Sequence, residues 1–109
     1  MTLPIIRRAT VDDAAVIYEL ICALAEFEKA PAEVKTSPAQ IVETMFGDDP
    51  QAWAELIVDE DGVQGMALWF TTYSTWEGVY GIHLEDLYIR PSARGKGYAS
   101  LLFLSLIHI

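Results

Sequence analysis

The residues best suited to chemistry lie in one stretch, Leu84 to Leu102, which reads LEDLYIRPSARGKGYASLL. In it, Arg94-Gly95-Lys96-Gly97 precedes a helical pattern that opens at Tyr98 and continues through Ala99 and Ser100. Glycines let successive backbone N–H groups converge with no Cβ in the way. The N-terminus of a helix adds a partial positive charge, so such a loop can hold a pyrophosphate, and Arg94 and Lys96 add full charges. A bare GxG also serves ordinary left-handed turns. The nucleotide patterns GxxxxGK[ST] and GxGxxG are absent. Upstream stand two adjacent carboxylates, Glu85 and Asp86. A carboxylate can attract a cation and accept its proton. Strand alternation predicts that the two face opposite sides, leaving one of them solvated. On position alone, Glu28 is a helix-end charge and His83 an ordinary strand residue. Trp69, Phe70, Tyr73 and Trp76 read first as core or interface aromatics. No His/Cys cluster has metal-ligand spacing, so no metal is expected.

The elements that must position these residues follow from periodicity. Leu3 to Arg8 reads as a strand with Pro4 at its start. Thr10 and Asp13 resemble a capping box, with Asp in place of Glu. Apolar residues at Ala14, Ile17, Tyr18, Ile21, Leu24 and Ala25 then predict a helix from Val11 to Phe27 or Glu28. Lys29 to Thr36 is a loop. Ser37-Pro38 opens a second helix that ends at Gly47. Strands are predicted over Ala52–Val58 and Gln64–Tyr73, joined by the turn Asp59-Glu60-Asp61-Gly62. Ser74 to Gly81 reads as a connection, Ile82 to Ile89 as a further strand, and Tyr98 onward as a helix. The order strand, helix, helix, strand, strand, strand, helix implies an α/β (α+β) domain, a mostly antiparallel sheet flanked by helices.

A chain of 109 residues that is 52% hydrophobic forms one domain and is not disordered. Its net charge of −9 excludes a phosphate-backbone partner, so no nucleic acid is expected. An acidic surface serves solubility and also attracts cationic small molecules or basic proteins. No apolar run reaches the ~20 residues of a membrane span. Met1 to Pro4, followed by Arg7 and Arg8 and then acids, lacks the order of a secretory signal. The single Cys22 sits on the apolar helix face, which suggests a buried thiol in a reducing compartment.

With these residues in view, Arg94-Gly95-Lys96-Gly97-Tyr98-Ala99 fits the (Gln/Arg)-x-x-Gly-x-(Gly/Ala) signature of the GNAT N-acetyltransferases. Within that superfamily the chain most resembles the spermidine/spermine (diamine) acetyltransferases. The stretches that carry this are Ile6–Thr10, Leu24–Glu28, Trp69–Trp76 and Leu84–Ile89, and the resemblance extends to about Phe103. It implies the GNAT fold and acetyl-CoA as co-substrate. Backbone groups of Leu87, Tyr88 and Ile89 would pair with the pantetheine arm, and Arg94 through Ser100 would hold the pyrophosphate. Glu85 would deprotonate the amine, directly or through water. Phe27 and Glu28 match a substrate-binding pair that usually begins with Tyr. Trp76 and Asp86 match a substrate-channel wall and its acidic lining. The implied acceptor is a small polyamine-like cation. The implied protein is cytoplasmic and, at full length, a homodimer.

The resemblance also implies that residues 1–103 are the front and centre of one acetyltransferase domain. The family's next strand, a further helix and the Tyr that protonates the leaving thiolate lie beyond them. Leu104 to Ile109 resembles a translated sequencing adapter and is suspected to be a non-native tail. On this reading Ile82–Ile89 exposes an unpaired edge, and the 109-residue chain is inactive alone. Two alternatives stay open: a non-catalytic acetyl-CoA-binding or interaction module, or acetylation of another amine such as thialysine, an aminoglycoside or a protein N-terminus.

Overall fold

The computed structural model describes residues 3–107. Four strands form one antiparallel sheet in the order β1-β2-β3-β4: β1 (Ile5–Arg8), β2 (Trp53–Asp59), β3 (Gly62–Ser74) and β4 (Val79–Ile89). Helices α1 (Ala14–Phe27) and α2 (Pro38–Phe46) cover one face, and α3 (Tyr98–Ile107) covers the other. This is the predicted element order and the predicted layering. In the first face, Ile17 and Leu20 of α1 and Ile41 and Met45 of α2 meet Leu56, Met66, Leu68 and Tyr88 of the sheet. In the second, Leu102 and Leu106 of α3 meet Ile57, Ala67, Trp69 and Ile89. Each fully buried side chain of this kind contributes about 1.5–3 kcal/mol.

Several boundaries differ from expectation for local reasons. The first turn of the leading helix is 3-10, Val11–Asp13, and the α-helix proper begins at Ala14. Asp13 is the cause. Its carboxylate accepts the Thr10 N–H at 2.7 Å, as the box predicts, and also takes the Arg7 guanidinium at 2.7 and 2.9 Å. That double clamp ties the end of β1 to the start of α1. Pairing of β1 begins only at Ile5, opposite Val58. Within the expected loop, Pro31–Glu33 forms a 3-10 turn.

The largest difference lies in the hairpin between β3 and β4. The segment Ser74 to Gly81 is a tight turn inside a long ribbon, and pairing runs out to Ser74 opposite Val79. Ser74 closes the turn: its backbone oxygen accepts the Gly78 N–H, and its Oγ accepts the Glu77 N–H. The last β2 partner on β3 is Trp69, so Phe70–Ser74 and Val79–His83 extend past the rest of the sheet as a two-stranded arm. Among the described residues β4 pairs only with β3, and its other edge is free, as expected. Leu104 to Ile107 continue α3; His108 and Ile109, the end of the suspected tail, lie outside the described residues.

Candidate anion cleft and carboxylate cluster

The loop between β4 and α3 is built to present backbone N–H groups. Gly95 and Gly97 both have positive φ, +82° and +81°, a region that side chains with a Cβ avoid. The first helical hydrogen bond runs from Leu101 N–H to the Gly97 oxygen. The amides of Gly95 to Ser100 therefore have no described acceptor, which is the arrangement that binds an anion at a helix start. They border a cavity of about 130 Å³ lined by Ile89, Ala93, Arg94, Gly95, Gly97 and Tyr98 to Ser100. The size and donor set fit a phosphate.

Side chains of the loop have other duties. Tyr98 donates its hydroxyl to Asp59 Oδ2 at 2.8 Å, which anchors the start of α3 to the end of β2. That bond pushes the Tyr98 phenol above its usual range. Burial pushes the Asp59 carboxyl up, but hydrogen bonds from Tyr98, the Asp61 N–H and Gln64 outweigh it and hold the carboxyl down. Arg94 is likewise engaged. Its Nε donates to the Ile89 oxygen at 3.0 Å, and its guanidinium lies 4.9 Å from the Phe27 ring centroid and 5.4 Å from that of Tyr88. Lys96 lies over the Tyr98 ring, its Nζ 5.9 Å from the centroid.

A groove of about 350 Å³ continues from the loop along the free edge of β4, lined by Leu24, Phe27, Leu87, Tyr88, Ile89, Arg94 and Ala99. Antiparallel pairing decides which backbone groups this edge offers. Arg90 N–H bonds the Gln64 oxygen, so the register makes Tyr88 and Asp86 the residues that exchange bonds with β3. Leu87 and Ile89 then point their N–H and C=O groups outward. Tyr88 corrects the expectation. Its backbone belongs to the ladder, and what it brings to the groove is its ring, under Arg94.

Further along β4 the register slips. Leu68 faces Asp86 while Trp69 faces Leu84, which leaves Glu85 as an extra residue. Such a bulge breaks the period-two alternation. Leu84 and Leu87 both pack on the α3 face. His83 stacks near Phe70 on the other face, with its Nε2 3.9 Å from Glu85 Oε2. Asp86 also lies on that face, opposite Leu68. The two carboxylates therefore share the α1 side, against the prediction that they oppose each other. Burial raises the Asp86 carboxyl above its usual range, and repulsion from Glu85 and Glu28 raises it further. Glu28, at the end of α1, thus joins the cluster.

Trp76 does not. It sits at the tip of the arm, 97% exposed, with the strand from Val79 to Asp86 between it and the carboxylates, roughly 20 Å of extended chain. The long ribbon, whose Ser74 to Gly81 segment the sequence reads as a connection, is what carries it away. Sequence reasoning also missed Gly65. A Cβ there would meet the Tyr88 oxygen at 2.6 Å and Ile89 Cδ1 at 2.5 Å, so the close seating of β4 on β3 depends on it. An isolated glycine inside a strand pattern was the available signal.

Comparison with known proteins matches residues 15–109 to the family described as Acetyltransferase (GNAT) family. A thialysine N-epsilon-acetyltransferase of Bos taurus is 36% identical over 108 residues, covering 92% of this chain and 63% of the relative. A spermidine/spermine N(1)-acetyltransferase-like protein 1 of Homo sapiens is 30% identical over 100 residues, covering 84% of this chain and 14% of the relative. Among solved structures, a possible acetyltransferase from Clostridium difficile 630 superposes with a TM-score of 0.80 at 19% identity, covering 98% of this chain and 70% of the other. The chain thus spans under two thirds of the length of the bovine relative.

Proposed function

The chain belongs to the GNAT acetyltransferase family, and from that premise we propose that the whole protein transfers an acetyl group from acetyl-CoA to a primary amine of a small polyamine-like cation. The observation that carries this reading is the placement of three features together: loop amides at Gly95–Ser100 with no described acceptor, a groove along β4 that shares Ile89, Arg94 and Ala99 with the loop cavity, and carboxylates at Glu28 and Asp86 next in sequence to the groove residues Phe27 and Leu87, with Glu85 beside Asp86. Residues 1–103 are proposed as the front and centre of one acetyltransferase domain. A cytoplasmic, homodimeric protein is part of the proposal. The partly buried free thiol of Cys22 supports the reducing compartment.

Acetyl-CoA, when bound, supplies the acyl group already activated as a thioester. The amides of Gly95 to Ser100 would hold the pyrophosphate, and the outward N–H and C=O of Leu87 with the N–H of Ile89, whose oxygen Arg94 Nε occupies, would hold the extended arm by strand-like pairing. An N–H on this edge would polarise the acyl carbonyl, so that as the amine nitrogen bonds to that carbon the thioester C–S bond breaks and coenzyme A leaves as its thiolate. An ammonium cannot attack until it loses a proton. Glu85, half-exposed at the bulge, accepts that proton directly or through water. Asp86 and Glu28 attract the cation and hold it in line. Three carboxylates on one side favour an acceptor with more than one positive charge.

A second reading, thialysine as the acceptor, is supported by the name of the bovine relative. The test is steady-state transfer by the full-length protein against spermidine, thialysine, an aminoglycoside and a peptide N-terminus. The proposal expects turnover on spermidine or thialysine, with Glu85→Gln lowering kcat about 10²–10⁴-fold. Acetyl-CoA binding with no turnover of any amine would replace it with a non-catalytic module, and unchanged Glu85→Gln kinetics would remove Glu85 from the mechanism.

A further inference from the structure

Phe27 occupies the place of a substrate-binding residue by sequence, yet its surroundings point elsewhere. Phe27 is 65% exposed, and the Arg94 guanidinium lies 4.9 Å from its ring centroid. Tyr88 lies 5.4 Å from the same guanidinium, so Arg94 contacts an aromatic ring from each of two elements, α1 and β4. Its Nε is fixed to the Ile89 oxygen at 3.0 Å. Arg94 lines both the 130 Å³ anion cavity and the 350 Å³ groove, and Phe27 lines the groove with it. Phe27 has no hydroxyl to offer an amine. Its π-face is already engaged with a cation of the loop.

We infer that Phe27 is a positioning residue for the acetyl-CoA side of the cleft, acting through Arg94, and not a ligand of the amine. The inference rests on the proposed acetyl-CoA reading and deepens it. An arginine is a flexible cation with several rotatable bonds. Holding it against two rings and a carbonyl orders it before a ligand arrives, which lowers the entropy cost of binding an anion beside it. Kept beside the cavity, the Arg94 charge also offsets the repulsion that an anionic ligand meets in a chain of net charge −9. The physical consequence is an effect of Phe27 on acetyl-CoA affinity that depends on Arg94.

The experiment is calorimetric titration of acetyl-CoA into the full-length protein and its Phe27→Leu, Phe27→Tyr and Arg94→Met variants, with amine KM measured at saturating acetyl-CoA. Leucine keeps apolar bulk but removes the π-face; tyrosine keeps the face. Phe27→Leu should raise the acetyl-CoA Kd two- to fivefold, the size of one exposed cation–π contact. Phe27→Tyr should restore it. In an Arg94→Met background Phe27→Leu should add no further loss. Amine KM should shift less than the acetyl-CoA Kd in each case. If Phe27→Leu leaves the acetyl-CoA Kd unchanged, or raises amine KM instead, the inference is wrong while the proposed function stands. If the unmodified protein does not bind acetyl-CoA, both fall.

Discussion

Alanine at position 65 places one methyl group between the two strands that carry the cleft. Its Cβ would lie 2.6 Å from the Tyr88 oxygen, 2.5 Å from Ile89 Cδ1 and 3.2 Å from Ile89 Cα. The Ile89 methyl can rotate away, but the Tyr88 oxygen is backbone in the ladder and cannot. Reaching an ordinary contact of 3.4 Å from that oxygen needs β4 to move by about 0.8 Å relative to β3. Overpacking of this kind costs about 1–3 kcal/mol. The midpoint, about 2 kcal/mol, corresponds to a fall in Tm of roughly 8 °C or more for a domain of this size. Urea unfolding followed by tryptophan fluorescence measures the stability. Amide hydrogen exchange locates the damage, which should concentrate at Asp86–Ile89 and spare the β1–β2 pair. A Gly65→Ala variant within about 0.5 kcal/mol of the original, with β4 protection unchanged, would refute the claim that Gly65 sets the seating of β4.

Three further outcomes follow from the charged clusters and the core. The Arg7 hydrogen bonds hold the Asp13 carboxyl below its usual range against the opposing effect of burial, with the Thr10 N–H assisting. The fold therefore binds this proton more weakly than the unfolded chain. The stabilisation is present above the unfolded carboxylate's titration and is lost as pH falls through the folded value. Asp13→Asn should cost about 1.5 kcal/mol near neutral pH and almost nothing in acid, read from denaturant midpoints at both. For Asp86 the sign reverses. Its carboxyl is raised by burial and by repulsion from Glu85 and Glu28, so stability falls as pH rises through its folded value. Asp86→Asn should raise Tm at neutral pH, the gain should shrink on acidification, and amine KM should rise. Leu102→Ala, at a fully buried α3 position facing the sheet, should cost about 2–5 kcal/mol in the same unfolding assay.

Periodicity and caps made most of the fold legible. The apolar spacing from Ala14 to Ala25 gave α1, Ser37-Pro38 gave the start of α2, and the glycine loop gave the start of α3. What escaped depends on contacts across the chain. Nothing local in Leu84-Glu85-Asp86 marks a bulge; it arises where β4 meets Leu68 and Trp69. Alternation therefore assigned the carboxylates to opposite faces, and the register shift brought them together. The Ser74 turn was hidden because Thr75 to Gly81 is rich in residues that serve loops and strands alike. The Phe27–Arg94–Tyr88 stack joins residues far apart in sequence and has no sequence signal beyond the missing Tyr hydroxyl.

In the proposed function acetyl-CoA lies on the α3 loop and along the free edge of β4. Amide chemical-shift mapping of the full-length protein during an acetyl-CoA titration tests it most directly. Saturable shifts are expected at Gly95–Ser100 and at the outward-pointing Leu87 and Ile89, larger than those at Tyr88 and Asp86, whose amides face β3. Shifts centred on β1, α2 or the arm around Trp76, with the loop amides unmoved at saturation, would contradict it.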